Sequence, residues 1–309
     1  RPSEMFDTQR VPVKVYRWDD EGAPQVESAA GSIKTILKAC LVTGYGEGNK
    51  RKDGLGWEMA FEKTQEACFR STHPKATKWW LGVDDSKYGE RARYVDLCGL
   101  LEPTSAKAGK VKQKVNNSSE FCNFIYKKDY NSRDKIQWVV VGNERAFTLI
   151  ILWQDYCSFF IFGNFASLAV ADAANTLLGY VSDVDDNYIY RDGTGVVLFV
   201  IPMRDYKGDI ASVLKFTSKA YANYGSYPNP ITGGFIADDI YMNEIIGHNI
   251  YALRGLFPGF MKIGEIMPAA DVIPMGTVYD NLDDSEDRFM YINTIGGGSF
   301  LVNLTAWEL

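Results

Sequence analysis

The chain has 309 residues, 46% of them hydrophobic and 23% charged, ordinary proportions for a globular protein. At this length it can bury roughly three-quarters of the surface that its unfolded form exposes, so neither disulfides nor a metal are required for a fold. The net charge of −6 argues against a general nucleic-acid binder, which needs a positive contact face.

The first two dozen residues carry Pro2, Pro12 and Pro24 and alternate poorly. They read as an extended arm, 1–24, with one short strand from Val11 to Trp18. An arm that buries little surface by itself is expected to lie on a neighbouring subunit. The remainder, 25–309, reads as a β-rich domain. From Ser32 to Val42, Ile33, Ile36, Leu37, Cys40 and Leu41 recur at helical spacing. Ser32 is expected to cap this helix, and Gly44 to end it in a left-handed conformation.

Short strands are expected at Trp57 to Phe61, Ala67 to Ser71 and Lys78 to Val83, with Thr72-His73-Pro74-Lys75 as a turn. Thr104 to Glu120 is rich in Lys, Ser, Asn and Ala and reads as a surface loop, or as a linker between two lobes divided near 104–120. Ile136 to Val141, Ala146 to Trp153 and Tyr156 to Phe162 are apolar runs with two polar breaks, which predicts an antiparallel meander. Their near-continuous apolarity predicts cover on both faces. Val196 to Ile201 is a further strand, stopped by Pro202.

Asp209 to Asn223 reads as a second amphipathic helix through Ile210, Val213, Leu214, Thr217 and Tyr221. Gly225 to Gly234 is a Pro/Gly-rich loop. Strands follow at Phe235 to Met242, Asn249 to Leu253, Arg288 to Ile295 and Ser299 to Trp307, the last two joined across Gly296-Gly297-Gly298. The expected class is therefore mainly β, an antiparallel sandwich or meander with two short amphipathic helices; α+β is the alternative.

The candidate chemistry is sparse. His73 and His248 both sit in turns without a neighbouring nucleophile motif, so no catalytic residue is expected. Gly44-Tyr45-Gly46-Glu47-Gly48-Asn49-Lys50 follows a helix rather than opening one and lacks the spacing of a phosphate loop, so no cofactor is expected. Asp183, Asp185 and Asp186, and the run Asp280, Asp283, Asp284, Glu286 and Asp287, lack calcium-loop spacing and read as solvated turns. Cys40, Cys68, Cys98, Cys122 and Cys157 are scattered, with no C-x-x-C, and read as reduced thiols; Cys40 and Cys157 lie in apolar runs and read as buried. Lys107, Lys110, Lys112 and Lys114, with Lys127 and Lys128, read as a solvated loop rather than a DNA contact. No apolar run approaches the ~18 residues of a membrane span. The chain opens on Arg1 rather than Met, which leaves a removed N-terminal segment open.

Aromatic content is high, with 18 Tyr, 17 Phe and 7 Trp. Such rings favour strands and are enriched at protein–protein interfaces. Loop rings beside Pro or Gly are the interface candidates, Tyr227, Phe257 and Phe260; they either project onto a partner or close the domain's own core. Val13, Tyr16 and Trp18 of the arm join them.

A set of short phrases spans the chain: Val13-Lys14-Val15-Tyr16, Gly22-Ala23-Pro24-Gln25, Gly31-Ser32, Ala39-Cys40-Leu41-Val42-Thr43-Gly44-Tyr45-Gly46 and Gly54-Leu55-Gly56-Trp57. Val83-Asp84-Asp85, Phe162-Gly163-Asn164-Phe165, Tyr227-Pro228-Asn229-Pro230 and Leu253-Arg254-Gly255-Leu256-Phe257-Pro258-Gly259-Phe260 continue it. In this order they resemble a family of virion structural proteins of tailed bacteriophages. The resemblance implies a non-enzymatic subunit present in many copies, assembled in a bacterial cytoplasm, whose partners are other copies of itself and other virion proteins. Tail or baseplate is the expected position. A head decoration, head-fibre or neck protein is the alternative, and a receptor-binding or polysaccharide-degrading tail protein is the rival of another class.

Overall fold

Three runs in the middle of the chain are apolar on both alternate sets of positions, and a strand of that kind is stable only when both of its faces are covered. The structure, a computed structural model, describes residues 8–86, 93–113, 122–127, 135–153, 156–168, 172, 174–181, 199–209, 215–217, 225–247, 250–264, 273–294 and 298–309. Among the described residues strands account for 53% and helices for 8%, which decides for mainly β over α+β.

The runs form the heart of a six-stranded antiparallel sheet. Its strands, numbered in chain order, are β2 (Lys14–Arg17), β9 (Gln137–Gly142), β10 (Ala146–Leu152), β11 (Cys157–Asn164), β13 (Thr176–Val181) and β14 (Phe199–Pro202). Their spatial order is β14-β13-β11-β10-β9-β2. Trp138, Val140, Phe147, Leu149, Ile151, Phe160, Phe162 and Leu178 point to one side of this sheet and join one hydrophobic cluster. Val139, Val141, Ile150, Phe159, Ile161, Leu177 and Val181 point to the other and join a second. The period of two thus feeds two separate cores, as the apolar runs predict.

The first core is closed by a second sheet: β3 (Trp57–Ala60), β4 (Glu66–Ser71), β5 (Trp80–Asp84), β6 (Arg93–Ser105) and β7 (Ala108–Lys112), with β8 (Cys122–Lys127) paired to β6. Trp57 meets Phe147 edge-on at 5.1 Å and Phe124 meets Phe160 at 5.1 Å across the two layers. The second core is closed by a third sheet, in the order β15 (Lys215–Thr217), β16 (Ala237–Gly247), β17 (Ile250–Ile263), β20 (Ser299–Asn303), β19 (Arg288–Asn293) and β18 (Val278–Asp280), with β12 (Ala166–Ser167) on β17. Here Phe159 stacks on Phe260 at 4.7 Å. The expected hairpin between the last long strands is present, with Asn293 opposite Ser299 and the Thr294 amide donating to the Gly298 carbonyl.

The helix runs from Ser32 to Thr43, as α1 (Ser32–Leu37) and a wider final turn, Lys38–Thr43. The widening shows in the Gly44 amide, which reaches back to the Ala39 carbonyl, while the Cys40 carbonyl is diverted to the Leu55 amide. Gly44 ends the helix at a positive φ of 68°, but with ψ at −176° rather than in the left-handed helical conformation expected. Ser32 does not cap it: its hydroxyl donates to the Glu27 carbonyl instead. The cap comes from Asp85, whose Oδ2 accepts the Ile33 and Lys34 amides at 2.8 and 3.3 Å.

Four further expectations are corrected. The N-terminal residues 10–17 are not an arm reaching a neighbour: β1 (Arg10–Pro12) pairs with β21 (Ala306–Glu308), and β2 completes the edge of the central sheet against β9. Pairing within the chain satisfies backbone groups that a free arm would leave to water. The segment 104–112 is neither surface loop nor linker, because β6 and β7 form one hairpin whose turn folds over the sheet and buries Cys68, Cys98 and Ala106. The one cluster shared by the central and second sheets also spans this point in the chain. Within the expected second helix, Lys215–Thr217 is the edge strand β15 on β16, where sheet pairing overrides a local helical spacing; 210–214 and 218–223 lie outside the described residues. Finally, Phe257-Pro258-Gly259-Phe260 is not a surface turn but the middle of β17.

Candidate functional site

The burial of Phe257 and Phe260 follows from an irregular register. Leu256 pairs with Tyr241 and Met261 with Asp239, so β17 carries surplus residues between those two rungs. Pro258, which cannot donate to a ladder, is tolerated at such a bulge. The surplus turns both rings into the second core, where they lie 5.5 Å apart and are almost fully buried. Tyr16 is completely buried beside Tyr45, at 5.9 Å, and Val13 and Trp18 are half-buried against the two cores. These five interface candidates therefore pack within the chain itself. Phe260 lies opposite Val302 and Tyr16 opposite Val140, partners far off in sequence that local turn chemistry could not show.

The loop phrase carries a different arrangement. Tyr227 is half-buried and lies 6.4 Å from Phe235, which meets Tyr279 edge-on at 5.8 Å. The three rings fix the base of the loop on a small third cluster with Ile273 and Phe289. Above them, Asn229 is buried and organises the backbone. Its amide donates to the Gly234 carbonyl and its carbonyl accepts the Gly233 amide, both at 2.8 Å. Its Oδ1 accepts the Ile231 and Thr232 amides at 2.9 and 3.2 Å. Ile231, at the apex, is 92% exposed. The sequence reading singled out the ring and missed the isoleucine; the signal was present in Asn229-Pro230-Ile231, an Asx-turn placing an aliphatic residue at its tip.

A second arrangement surrounds Arg254 of the same long phrase. Its guanidinium lies between Asp172, at 2.7 Å, and Glu244, and over the Phe165 ring at 5.6 Å. Ser167 donates to Asp172 at 2.6 Å, and the Tyr206 amide to Glu244 at 3.1 Å. Burial pushes the Glu244 carboxyl above its ordinary range, against the pull of Arg254. All three charged side chains are nearly inaccessible, so this is a buried lock tying together β12, β16, β17 and the 206 loop.

A cleft of about 520 Å³ lies beside the glycine-rich phrase, lined by Asp19, Asp20, Glu21, Asn49, Lys50, Arg51 and Lys52. Its charges are largely spent on each other or on neighbours: Lys52 pairs with Asp20 at 2.7 Å, Arg17 with Asp19 at 2.8 Å and Arg51 with Asp53 at 3.1 Å. Three acidic and three basic side chains balance in the lining, so it offers a phosphate no net positive field.

The other singled-out residues have structural company. Lys107 is partly exposed but paired: it bridges Asp84 at 2.8 Å and Glu66 at 2.9 Å, and the two carboxylates raise its pKa to about 12. Lys110 pairs with Glu102 on the exposed hairpin. Asp280 pairs with Arg288, and Asp287 with Arg10. His73 Nδ1 accepts the Lys75 amide at 3.2 Å within its turn. Cys40, Cys68 and Cys157 are buried free thiols, and Cys98 is buried beside Cys68. His248, Asp183, Asp185, Asp186, Lys114 and Lys128 lie outside the described residues. Among the described residues, no group of three or more His, Cys, Asp or Glu side chains is arranged to hold a metal, and no helix is long and apolar enough to cross a membrane.

No protein-family model matches this chain, and no curated protein matches it.

Proposed function

We propose that this chain is a non-enzymatic structural subunit of a tailed-phage virion, associated with the tail or baseplate, that acts through assembly contacts with copies of itself and other virion proteins. The ordered phrases supply the family. The physical observation that carries the reading is the loop 225–236: a hydrogen-bonded, ring-anchored segment holding a fully aliphatic side chain in water. An exposed isoleucine contributes nothing to the chain's own core, and a fixed backbone lowers the entropy lost when a partner covers it. The body behind it packs two cores onto the two faces of one central sheet.

Labelled imaging and mass spectrometry of purified particles test the proposal. The protein is expected in many copies at one location on the particle, tail or baseplate. Its absence from purified particles, together with turnover of envelope polysaccharide by the isolated chain, would replace this reading with the enzymatic one.

A further inference from the structure

We infer that the turn between β9 and β10 binds a small oxyanion, a carboxylate or a phosphate, on the guanidinium of Arg145. The turn has spent its acceptors. The Asn143 carbonyl takes the Trp57 indole N–H at 3.0 Å, the Glu144 carbonyl takes the Ser71 hydroxyl, and the Arg145 carbonyl takes the Asn164 amide at 3.0 Å. Asn143 Oδ1 accepts the Arg145 and Ala146 amides at 2.8 and 3.1 Å. Two donors are left over, Asn143 Nδ2 and Arg145 Nε. Both atoms are sealed from water and neither has a hydrogen-bond partner among the described residues.

Charge and size select the ligand. Arg145 is 6% exposed, and among the described residues no carboxylate pairs with it. Glu144 acts on it only from a distance and lies 3.8 Å from His73 Nε2 instead. Burial, the larger influence, holds the Arg145 pKa below its ordinary value against the pull of Glu144. A buried cation without a counter-charge is costly. Water satisfies a leftover donor but leaves the charge uncompensated, whereas an anion answers both needs. The guanidinium presents a flat fork of N–H groups that matches two oxygens of a carboxylate or phosphate. So little of the side chain is accessible that the ligand is a small free ion rather than the face of a macromolecule.

Urea unfolding with phosphate or acetate as the probe tests the inference, with sodium chloride holding the ionic strength constant. An ion bound only to the folded chain raises the folding constant about tenfold when present at about ten times its dissociation constant. Wild type is expected to show this saturating rise with at least one of the two ions, and the two arms tell carboxylate from phosphate. Calorimetric titration should return the same dissociation constant. Arg145→Met is expected to stay folded in chloride alone and to lose the rise. Asn143→Asp keeps Oδ1 for the two amides but sets a negative charge in place of Nδ2, and is expected to weaken the ion by roughly tenfold or more. An equal rise in wild type and Arg145→Met would mark a general salt effect and overturn the inference. No rise in wild type with either ion overturns it as well. If Arg145→Met were then also missing from assembled particles, the guanidinium would belong to a partner chain's carboxylate. The ion titrations are read on the isolated chain and stand or fall independently of its place in a virion.

Discussion

Asp85, which follows β5 of the second sheet, caps a helix that begins more than fifty residues earlier: its Oδ2 accepts the Ile33 amide at 2.8 Å. Its Oδ1 takes the Tyr126 hydroxyl at 3.2 Å. One carboxyl group thus joins the helix, β5 and β8. Asp85→Ala leaves these donors unsatisfied in a dry site and is expected to cost about 2–3 kcal/mol, read from the shift of the urea midpoint. Asp85→Asn keeps an acceptor and should cost less.

The same residue sets a pH dependence. Burial, the largest cause, pushes the Asp85 carboxyl up to about 7 from an ordinary value of 3.8, although the Lys34 and Ile33 amides and Tyr126 pull it down. Because the folded value is the raised one, the stabilisation is complete below pH ~4 and is lost as pH rises towards 7, on the order of 4 kcal/mol in all. Asp239, raised to about 6 mainly by burial with Asp238 and Glu308 nearby, acts in the same direction. Urea midpoints between pH 4 and 8 should fall less steeply in Asp85→Asn than in wild type. Parallel curves would show that Asp85 does not titrate in this range.

Arg254 pairs with two buried carboxylates at once. Arg254→Met preserves bulk but strands Asp172 and Glu244 without a cation, and is expected to cost roughly 3–5 kcal/mol by chemical denaturation. Restoring much of that loss by adding Asp172→Asn and Glu244→Gln would identify the charge, rather than the packing over Phe165, as the cause.

Gly259 sits at φ 74°, and a methyl group there would enter the indole ring of the buried Trp307. Gly259→Ala meets both a backbone conformation that favours glycine and a ring fixed by its N–H bond to the Asn303 carbonyl at 2.8 Å. A loss of about 2–4 kcal/mol is expected by thermal unfolding. Gly208, also at positive φ but with open space around it, provides the contrast: Gly208→Ala should cost about 1 kcal/mol.

Phe260 and Ile231 separate core from surface. Phe260→Ala removes the ring stacked on Phe159 and is expected to cost about 3–5 kcal/mol. Ile231→Asp should leave stability within about 0.5 kcal/mol, because the side chain touches little of its own chain. Equal destabilisation by the two, measured by denaturant midpoints, would remove Ile231 from the exposed class.

Strand identity in the middle of the chain was legible because β-branched and aromatic side chains on both faces of Val139 to Ile151 admit few other uses in water. The helix from Ser32 and its glycine stop were legible for the same kind of reason, being local backbone chemistry. What failed were inferences that needed a partner from elsewhere. Lys215–Thr217 took an edge position on β16 against its local pattern, and Ser32 yielded the cap to Asp85.

Composition and periodicity by themselves determined the mainly β class and the doubly covered central strands, since alternation and burial are properties of neighbouring residues. Only the tertiary structure decided that residues 10–17 pair inward and that Phe257 and Phe260 fill a core. It alone decided, too, that Ile231 is what the loop displays. Whether a ring beside a proline faces water or another ring depends on the register between paired strands, and register is fixed by the assembled sheets rather than by any single segment.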